Sequence, residues 1–300
     1  MVYTVTLNPA LDYTLYLSHF VAGATNRSER EELFFGGKGI NVSAILTALG
    51  EPTVALGFVA GFTGEALLRA LDAAGIRHEM TLLPKGQTRI NVKIKGAEES
   101  EINGQGPVIT QEALATLLAR LDRLEPTDTL VLAGSVPPSV PKNIYEEMIR
   151  RVAPRGVRVV VDAERSLLLS ALPYRPFLIK PNKIELSDMV EKELQGDKEI
   201  AAAAALLQEK GAKNVLVSLG GEGALLLDEQ GNIHRKKALG GKPVNTVGAG
   251  DSMVAGFLVG VSEGYEKALC LGLAAGGATA TKSGLATREE IEALLLAHSC

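Results

Sequence analysis

The sequence predicts an α/β fold of three layers, a mostly parallel sheet covered by helices on both faces, with a second, smaller β sheet set apart from it. Three observations carry this expectation. From Gln111 to Ser218, strand-like and helix-like segments alternate at regular spacing, as in a parallel sheet wound with crossover helices. Four further segments, split between positions 8–36 and 85–106, alternate apolar with polar residues and describe strands with one dry and one wet face. A chain of 300 residues, 46% of them apolar, has enough material for one large core.

Taken in order, Val2–Leu7 is a β-branched apolar run that stops at Asn8-Pro9, which marks a buried strand ending in a turn. Leu11, Tyr13, Leu15 and Leu17 then alternate with Asp12, Thr14, Tyr16 and Ser18, and Glu31–Phe35 supplies a second half-wet strand. Gly36-Gly37-Lys38-Gly39-Ile40-Asn41 opens a helix with Ile40, Ala44, Ile45, Ala48 and Leu49 at helical spacing, closed by Gly50. Thr53–Val59 reads as a strand and Gly64–Ala74 as a helix capped by Gly75. Arg89, Asn91, Lys93 and Lys95 alternate with Ile90, Val92 and Ile94, and Glu101-Ile102-Asn103-Gly104 follows a polar turn. The two pairs of wet strands form a small sheet over one end of the core or a dimer surface. The boundaries expected are a single domain over 1–300, with inserts at about 8–36 and 85–106 and a core of 1–7, 37–84 and 107–300.

The second half continues with helices at 111–123, 141–152, 164–171, 183–193 and 198–210, interleaved with strands at 129–133, 157–161, 177–180 and 214–218. Strands near 223–228 and 232–237 precede helices at 249–262, 265–281 and 288–297. Ligands of such sheets bind beyond the carboxyl ends of the strands. The polar residues there are Gly134-Ser135, Asp162, Lys180-Pro181-Asn182 with Glu185, and Ser218-Leu219-Gly220.

The stretch Asn245-Thr246-Val247-Gly248-Ala249-Gly250-Asp251-Ser252 carries the chemistry. Gly248, Ala249 and Gly250 let main-chain N–H groups approach an anion, and the helix that begins there adds its free N–H groups and positive dipole end. Asp251 stands where a carboxylate accepts a proton from a hydroxyl attacking phosphorus. A dinucleotide fingerprint is excluded because position 253 is Met, and a P-loop because Gly37-Lys38 is followed by Gly39 and Gly241-Lys242 by Pro243. A net charge of −4 without a Lys/Arg cluster speaks against nucleic acid. No apolar run reaches a membrane span, and Met1-Val2-Tyr3-Thr4 enters a strand at once, so the cytoplasm is expected. Cys270 and Cys300 suggest neither a disulfide framework nor a zinc site, and His19, His78, His234 and His298 lack ligand spacing.

With these motifs in hand, the chain resembles the ribokinase-like (PfkB) family of carbohydrate kinases from end to end. The resemblance rests on Thr6-Leu7-Asn8-Pro9-Ala10-Leu11-Asp12, Gly36-Gly37-Lys38-Gly39-Ile40-Asn41-Val42-Ser43, Thr88-Arg89-Ile90-Asn91-Val92-Lys93, Ile102-Asn103-Gly104, Lys180-Pro181-Asn182-Lys183-Ile184-Glu185 and Gly248-Ala249-Gly250-Asp251. It is strongest toward members that phosphorylate fructose 1-phosphate, with tagatose 6-phosphate kinases nearby. It implies a β-sheet lid that closes over the sugar, Asp251 as general base, and the N–H groups of Gly248, Ala249 and Gly250 as an anion hole. Asp12, Gly37, Lys38, Asn41, Arg89 and Asn103 map to sugar-phosphate contacts. Lys180, Asn182, Ser218, Gly220 and Gly223 map to ATP, with Ala274, Ala275 and Gly277 leaving room beside the adenine. Asn182 and Glu185 are the implied pair for Mg²⁺, through water. The chain departs from the family at Asp162-Ala163-Glu164-Arg165, where many members carry Asp-Thr/Ser-Ser-Gly. It departs again at Asn245, where ribokinases often carry Asp beside a monovalent cation.

The reaction implied is ATP-dependent phosphorylation of D-fructose 1-phosphate at the 6-hydroxyl. Lys38 and Arg89 suit a substrate that already bears a phosphate. Tagatose 6-phosphate or fructose 6-phosphate would keep the mechanism. A non-catalytic sugar-phosphate sensor would show a damaged catalytic loop, whereas Gly248, Gly250, Asp251, Asn182 and Glu185 are all present. A homodimer through the lid strands is the expected assembly.

Overall fold

The computed structural model describes all residues except Ala97 and Ser299. Its large sheet runs, from one edge to the other, β13 (Ile233–Lys236), β12 (Ala224–Leu227), β11 (Asn214–Ser218), β10 (Leu178–Ile179), β9 (Arg158–Asp162), β8 (Thr129–Ala133), β1 (Val2–Thr6), β4 (Thr53–Ala60) and β5 (His78–Leu83). The strands from β11 to β5 are parallel; β12 and β13 complete the edge as an antiparallel ribbon. The runs read as buried strands are buried on both faces, because helices cover both. On β4, Val54, Leu56 and Phe58 join the core beneath α3 (Gln111–Leu121), α4 (Ile144–Val152), α5 (Arg165–Ala171), α6 (Lys183–Val190) and α7 (Gly196–Glu209). Ala55 and Val59, on the other face, meet α1 (Lys38–Leu49) and α2 (Gly61–Ala73). Beyond them on that face lie α8 (Ala249–Gly260), α9 (Tyr265–Ala280) and α10 (Arg288–Ala297).

The four half-wet strands form a separate sheet in the order β3 (Arg30–Gly36), β2 (Ala10–Tyr16), β6 (Arg89–Lys95) and β7 (Ser100–Asn103). Their alternation sorts side chains cleanly. Asp12, Asn91 and Asn103 share one face in direct register, while Leu33, Tyr13, Val92 and Ile102 form a row across the other. Because β2 follows β1 after three residues, and β6 lies parallel to β2, the polar face of the small sheet is held over the carboxyl end of the large one.

Two features differ from the sequence reading. β5 went unassigned there, because His78–Leu83 lacks clean alternation; it is an edge strand that is covered only in part. Cys270 and Cys300, which suggested no disulfide framework in the sequence, form a disulfide with a Cα–Cα distance of 5.6 Å. Their separation of 30 residues conceals a proximity created by α10 folding back along α9.

Helix α9 is also packed tightly against the chain that follows β13. A Cβ built on Gly277 would stand 2.0 Å from the Leu239 carbonyl oxygen, so the loop can approach only a glycine. Gly277→Ala should therefore lower stability by about 1–3 kcal/mol through overpacking. Urea unfolding measures this, and an unchanged midpoint would show that the loop is not held against α9.

Candidate active site

The site lies between the carboxyl ends of the large sheet's strands and the polar face of the small sheet, in a cleft of about 480 Å³. Thr6 at the end of β1 begins its floor. The Thr6 hydroxyl accepts a hydrogen bond from the Ile40 N–H at 3.1 Å, which docks the start of α1 on β1. That approach requires Gly37, whose φ of 121° lies in the left-handed region and whose absent Cβ would meet Thr6 Cγ2 at 2.7 Å. Lys38 and Asn41, on the first turn of α1, thereby face the cleft.

On the opposite side, Gly248 caps α8 with φ 80°, again a left-handed conformation suited to glycine. The Ala249 N–H is directed to the Thr246 carbonyl at 3.3 Å, and Ala249 is not among the cleft-lining residues. Gly248, Gly250 and Asp251 do line it, and the first turn of α8 leaves N–H groups of Gly250 and Asp251 without intrahelical acceptors. Asp251 is 5% exposed, and its Oδ2 accepts a hydrogen bond from Asn41 Nδ2 at 2.8 Å. Burial, reinforced by the negative charge of Asp162, raises its pKa to about 6, against the opposing pull of Lys38, Asn41 and Lys180.

Asp162, at the end of β9 and 1% exposed, sets this electrostatic pattern. Its Oδ1 lies 3.1 Å from Lys38 Nζ and 3.4 Å from Lys180 Nζ. Burial alone would raise its pKa, but the two lysines hold it below the usual carboxylate range. Lys38 in turn has its pKa raised: burial works against the charged form, and the carboxylates of Asp162, Asp251 and Glu185 more than offset it. The second oxygen, Asp162 Oδ2, is buried without a hydrogen-bond partner among the described residues.

The small sheet contributes a different cationic group. Arg89 Nε donates to the Asn8 carbonyl at 3.0 Å, and the guanidinium has Asp12 and Glu101 as charged neighbours. Asp12 is gripped from β6, accepting from Asn91 Nδ2 at 2.9 Å and from Lys93 Nζ at 3.1 Å. Asn103 lines the same wall.

Of the residues singled out from the sequence, Asp12, Gly37, Lys38, Asn41, Arg89, Asn103, Lys180, Gly248, Gly250 and Asp251 share the one cleft. The others lie outside it. Asn182 and Glu185 form a capping box at the start of α6: Glu185 N–H donates to Asn182 Oδ1 at 2.8 Å, and Asn182 N–H to Glu185 Oε2 at 2.7 Å. Ser218 is bridged to Asn182 at the end of β11, and Gly220 stands in open space with φ 57°. Gly223 admits the main chain at Lys236, whose carbonyl would meet an added Cβ at 2.2 Å. Ala274 and Ala275 are fully buried in the core between α8, α9 and the sheet. Asn91 and Lys93 also line the cleft though the sequence assigned them no ligand role, and Asp162, expected only as a polar residue at the strand ends, lies behind it against Lys38 and Lys180. The period of two along β6 already put Asn91 and Lys93 on the face of Arg89, whereas only the fold reveals that Asp162 meets two lysines.

Comparison with known proteins agrees with this architecture. A model of the pfkB family carbohydrate kinases matches residues 5–292, and the chain belongs to that family of ATP-dependent sugar kinases. Among individual relatives it is 42% identical over 297 residues to 1-phosphofructokinase of Bacillus subtilis (strain 168), covering 98% of this chain and 97% of that one. It is 35% identical to D-tagatose-1-phosphate kinase of Bacillus licheniformis, over 95% and 94% of the two chains. The solved structure of Escherichia coli phosphofructokinase-2 in complex with fructose-6-phosphate superposes with a TM-score of 0.92 at 29% identity, covering 100% of this chain and 99% of that one. No helix among the described residues is long and apolar enough to cross a membrane.

Proposed function

We propose that the protein transfers the γ-phosphoryl group of ATP to the 6-hydroxyl of D-fructose 1-phosphate, giving fructose 1,6-bisphosphate. The observation that carries this reading is the separation of the cleft's cations into two groups. Lys38 and Lys180 gather on Asp162 beside Asp251, whereas Arg89 and Lys93 project from β6 among Asp12 and Glu101. A product with a phosphate at each end matches two such groups. Arg89 and Lys93 take the phosphate the sugar arrives with, whereas Lys38, expected from the sequence to share that phosphate with Arg89, is drawn by Asp162 to join Lys180 at the transferred one. The similarity to the B. subtilis 1-phosphofructokinase supports the 1-phosphate, and that to the tagatose-1-phosphate kinase supports D-tagatose 1-phosphate as the second substrate to test.

Each group in the cleft then has a task. Asn41 fixes Asp251 Oδ2, leaving Oδ1 to receive the proton of the attacking hydroxyl. A carboxylate with a pKa of about 6 is mostly ionised at neutral pH yet more basic than an exposed one. Charge developing on the phosphoryl oxygens meets the N–H groups at the start of α8 and the two lysines, donors fixed before the reaction begins. The small sheet acts as a lid that excludes water from this step. ATP occupies the side bounded by Lys180, Asn182, Ser218, Gly220 and Gly223; Ala274 and Ala275, expected beside the adenine, are instead buried in the core, and Gly277 is packed against the Leu239 carbonyl. Among the described residues no cluster of three or more metal-ligating side chains exists. The partnerless Asp162 Oδ2 and the Glu185 oxygen outside the capping box suit a cation held largely by water and phosphates, as Mg²⁺ prefers. When bound, it neutralises charge on the phosphates of ATP.

The outer face of the small sheet supports a homodimer. Leu33 and Ile102, 57% and 61% exposed, flank the half-buried Tyr13 and Val92 in one apolar row across the outer face. A second copy offers the same row about a two-fold axis. Sedimentation at micromolar concentration should show a dimer that Leu33→Glu with Ile102→Glu converts to monomer; a monomeric wild type would remove the proposal.

Turnover is tested by coupled ADP release with Mg-ATP. Fructose 1-phosphate should exceed fructose 6-phosphate and tagatose 6-phosphate in kcat/KM by at least about a hundredfold, equivalent to about 2.7 kcal/mol. Asp251→Asn should lower kcat by about 10²–10⁴ with little change in ATP affinity. Preference for a 6-phosphate would overturn the substrate, and activity of Asp251→Asn within about tenfold of wild type would overturn the base.

A further inference from the structure

We infer that Asn91 is a specificity-determining residue: its Oδ1 accepts a hydrogen bond from one hydroxyl of the sugar's C3–C4 diol, beside the hydroxyl taken by Asp12. The inference deepens the proposed ketohexose 1-phosphate kinase reading and rests on it. Asn91 sits directly across from Asp12 in the β2–β6 register and from Asn103 in the β6–β7 register, on the face that lines the cleft. Its amide orientation is fixed by chemistry. An ionised carboxylate only accepts, so the group 2.9 Å from Asp12 Oδ1 is Nδ2 and the carbonyl oxygen points elsewhere. Lys93 Nζ holds the other Asp12 oxygen at 3.1 Å and prevents the carboxylate from turning away.

Asn91 Oδ1 is then left unpaired. The residue is 7% exposed, and Oδ1 is buried without a hydrogen-bond partner among the described residues. A buried acceptor without a donor is costly, and it recovers that cost only when a donor reaches it. The ligand of this cleft is rich in hydroxyl donors. Asp12 and Asn91 both line the cleft and are joined through Nδ2, so that their acceptors suit two neighbouring hydroxyls. With the existing phosphate on C1 and the reacting oxygen on C6, a ketofuranose has ring hydroxyls on C2, C3 and C4 between them, and the vicinal pair that does not include the anomeric centre is the C3–C4 diol. Fructose and tagatose differ in configuration at C4, so an acceptor fixed against this diol bears directly on the choice between them.

The test compares kcat/KM for fructose 1-phosphate, its 3-deoxy and 4-deoxy analogues, and tagatose 1-phosphate in wild type, Asn91→Ala, Asn91→Leu and Lys93→Met, with folding checked by circular dichroism. Wild type should prefer fructose 1-phosphate over at least one deoxy analogue by about tenfold or more, the scale of one hydrogen bond. In the Asn91 variants that preference should shrink to within about threefold, and the fructose-to-tagatose ratio should change with it. Lys93→Met, which loosens Asp12 and removes a cation from the 1-phosphate but keeps Asn91, should lower kcat/KM on all four substrates and retain the preference among them. An equal fall on all four substrates in the Asn91 variants would make Asn91 merely a support for Asp12 and overturn the inference. A wild type inactive on every ketohexose 1-phosphate would instead overturn the functional reading beneath it.

Discussion

Asp162 is a carboxylate almost wholly removed from water, and a charge in that position persists only if opposite charges come to it. Lys38 arrives from the start of α1 and Lys180 from the end of β10, and both meet the same oxygen. Removing Asp162 would leave two cations, Lys180 buried and Lys38 partly exposed, repelling each other at the mouth of α8. The same carboxylate acts on Asp251, adding its negative charge to the burial that raises the Asp251 pKa. One buried ion triad thus gathers the positive charge suited to a transferring phosphoryl group and keeps the neighbouring carboxylate basic.

The fold makes this convergence possible. In a parallel sheet every strand delivers its carboxyl end to one edge, so residues distant in sequence meet there. Thr6, Ala133, Asp162 and Lys180 each follow from a different strand of that edge. Helix α1 supplies Lys38 and Asn41, and α8 supplies its free N–H groups, because each begins there. The small sheet adds what a strand can supply and a helix start cannot: a ruler of side chains at period two, with Arg89, Asn91 and Lys93 toward the ligand and Ile90 and Val92 away from it.

Where local pattern decides structure, the sequence was sufficient. The alternation along 10–16 and 89–95, the glycine that ends α1 and the strand–helix rhythm after Gln111 correspond to elements with nearly the expected limits. Long-range pairing was not readable in this way. Asp162 in isolation is a polar residue after a strand, and nothing local announces two lysines from 124 residues before and 18 after it. The same holds for Cys270 and Cys300, joined by the return of α10. Asn182 and Glu185 illustrate the converse. Their spacing fits a metal pair and equally a helix cap, and in the structure it makes the cap, leaving one Glu185 oxygen outside it. Small residues are similarly ambiguous, since Gly277 gives way to the Leu239 carbonyl and Ala274 and Ala275 to core packing.

The central claim is that burial and Asp162 together keep Asp251 basic. Rate profiles alone mix that group with substrate, because a phosphate monoester has its second pKa near 6 as well. A carboxyl ¹³C NMR titration of the substrate-free protein, with Asp251 assigned through Asp251→Asn, separates them. The expected result is an Asp251 midpoint at about 6 in wild type, moving downward in Asp162→Asn as Lys38 and Lys180 act without the opposing charge. An Asp251 that titrates near 4, the range of exposed carboxylates, and ignores Asp162→Asn would contradict it.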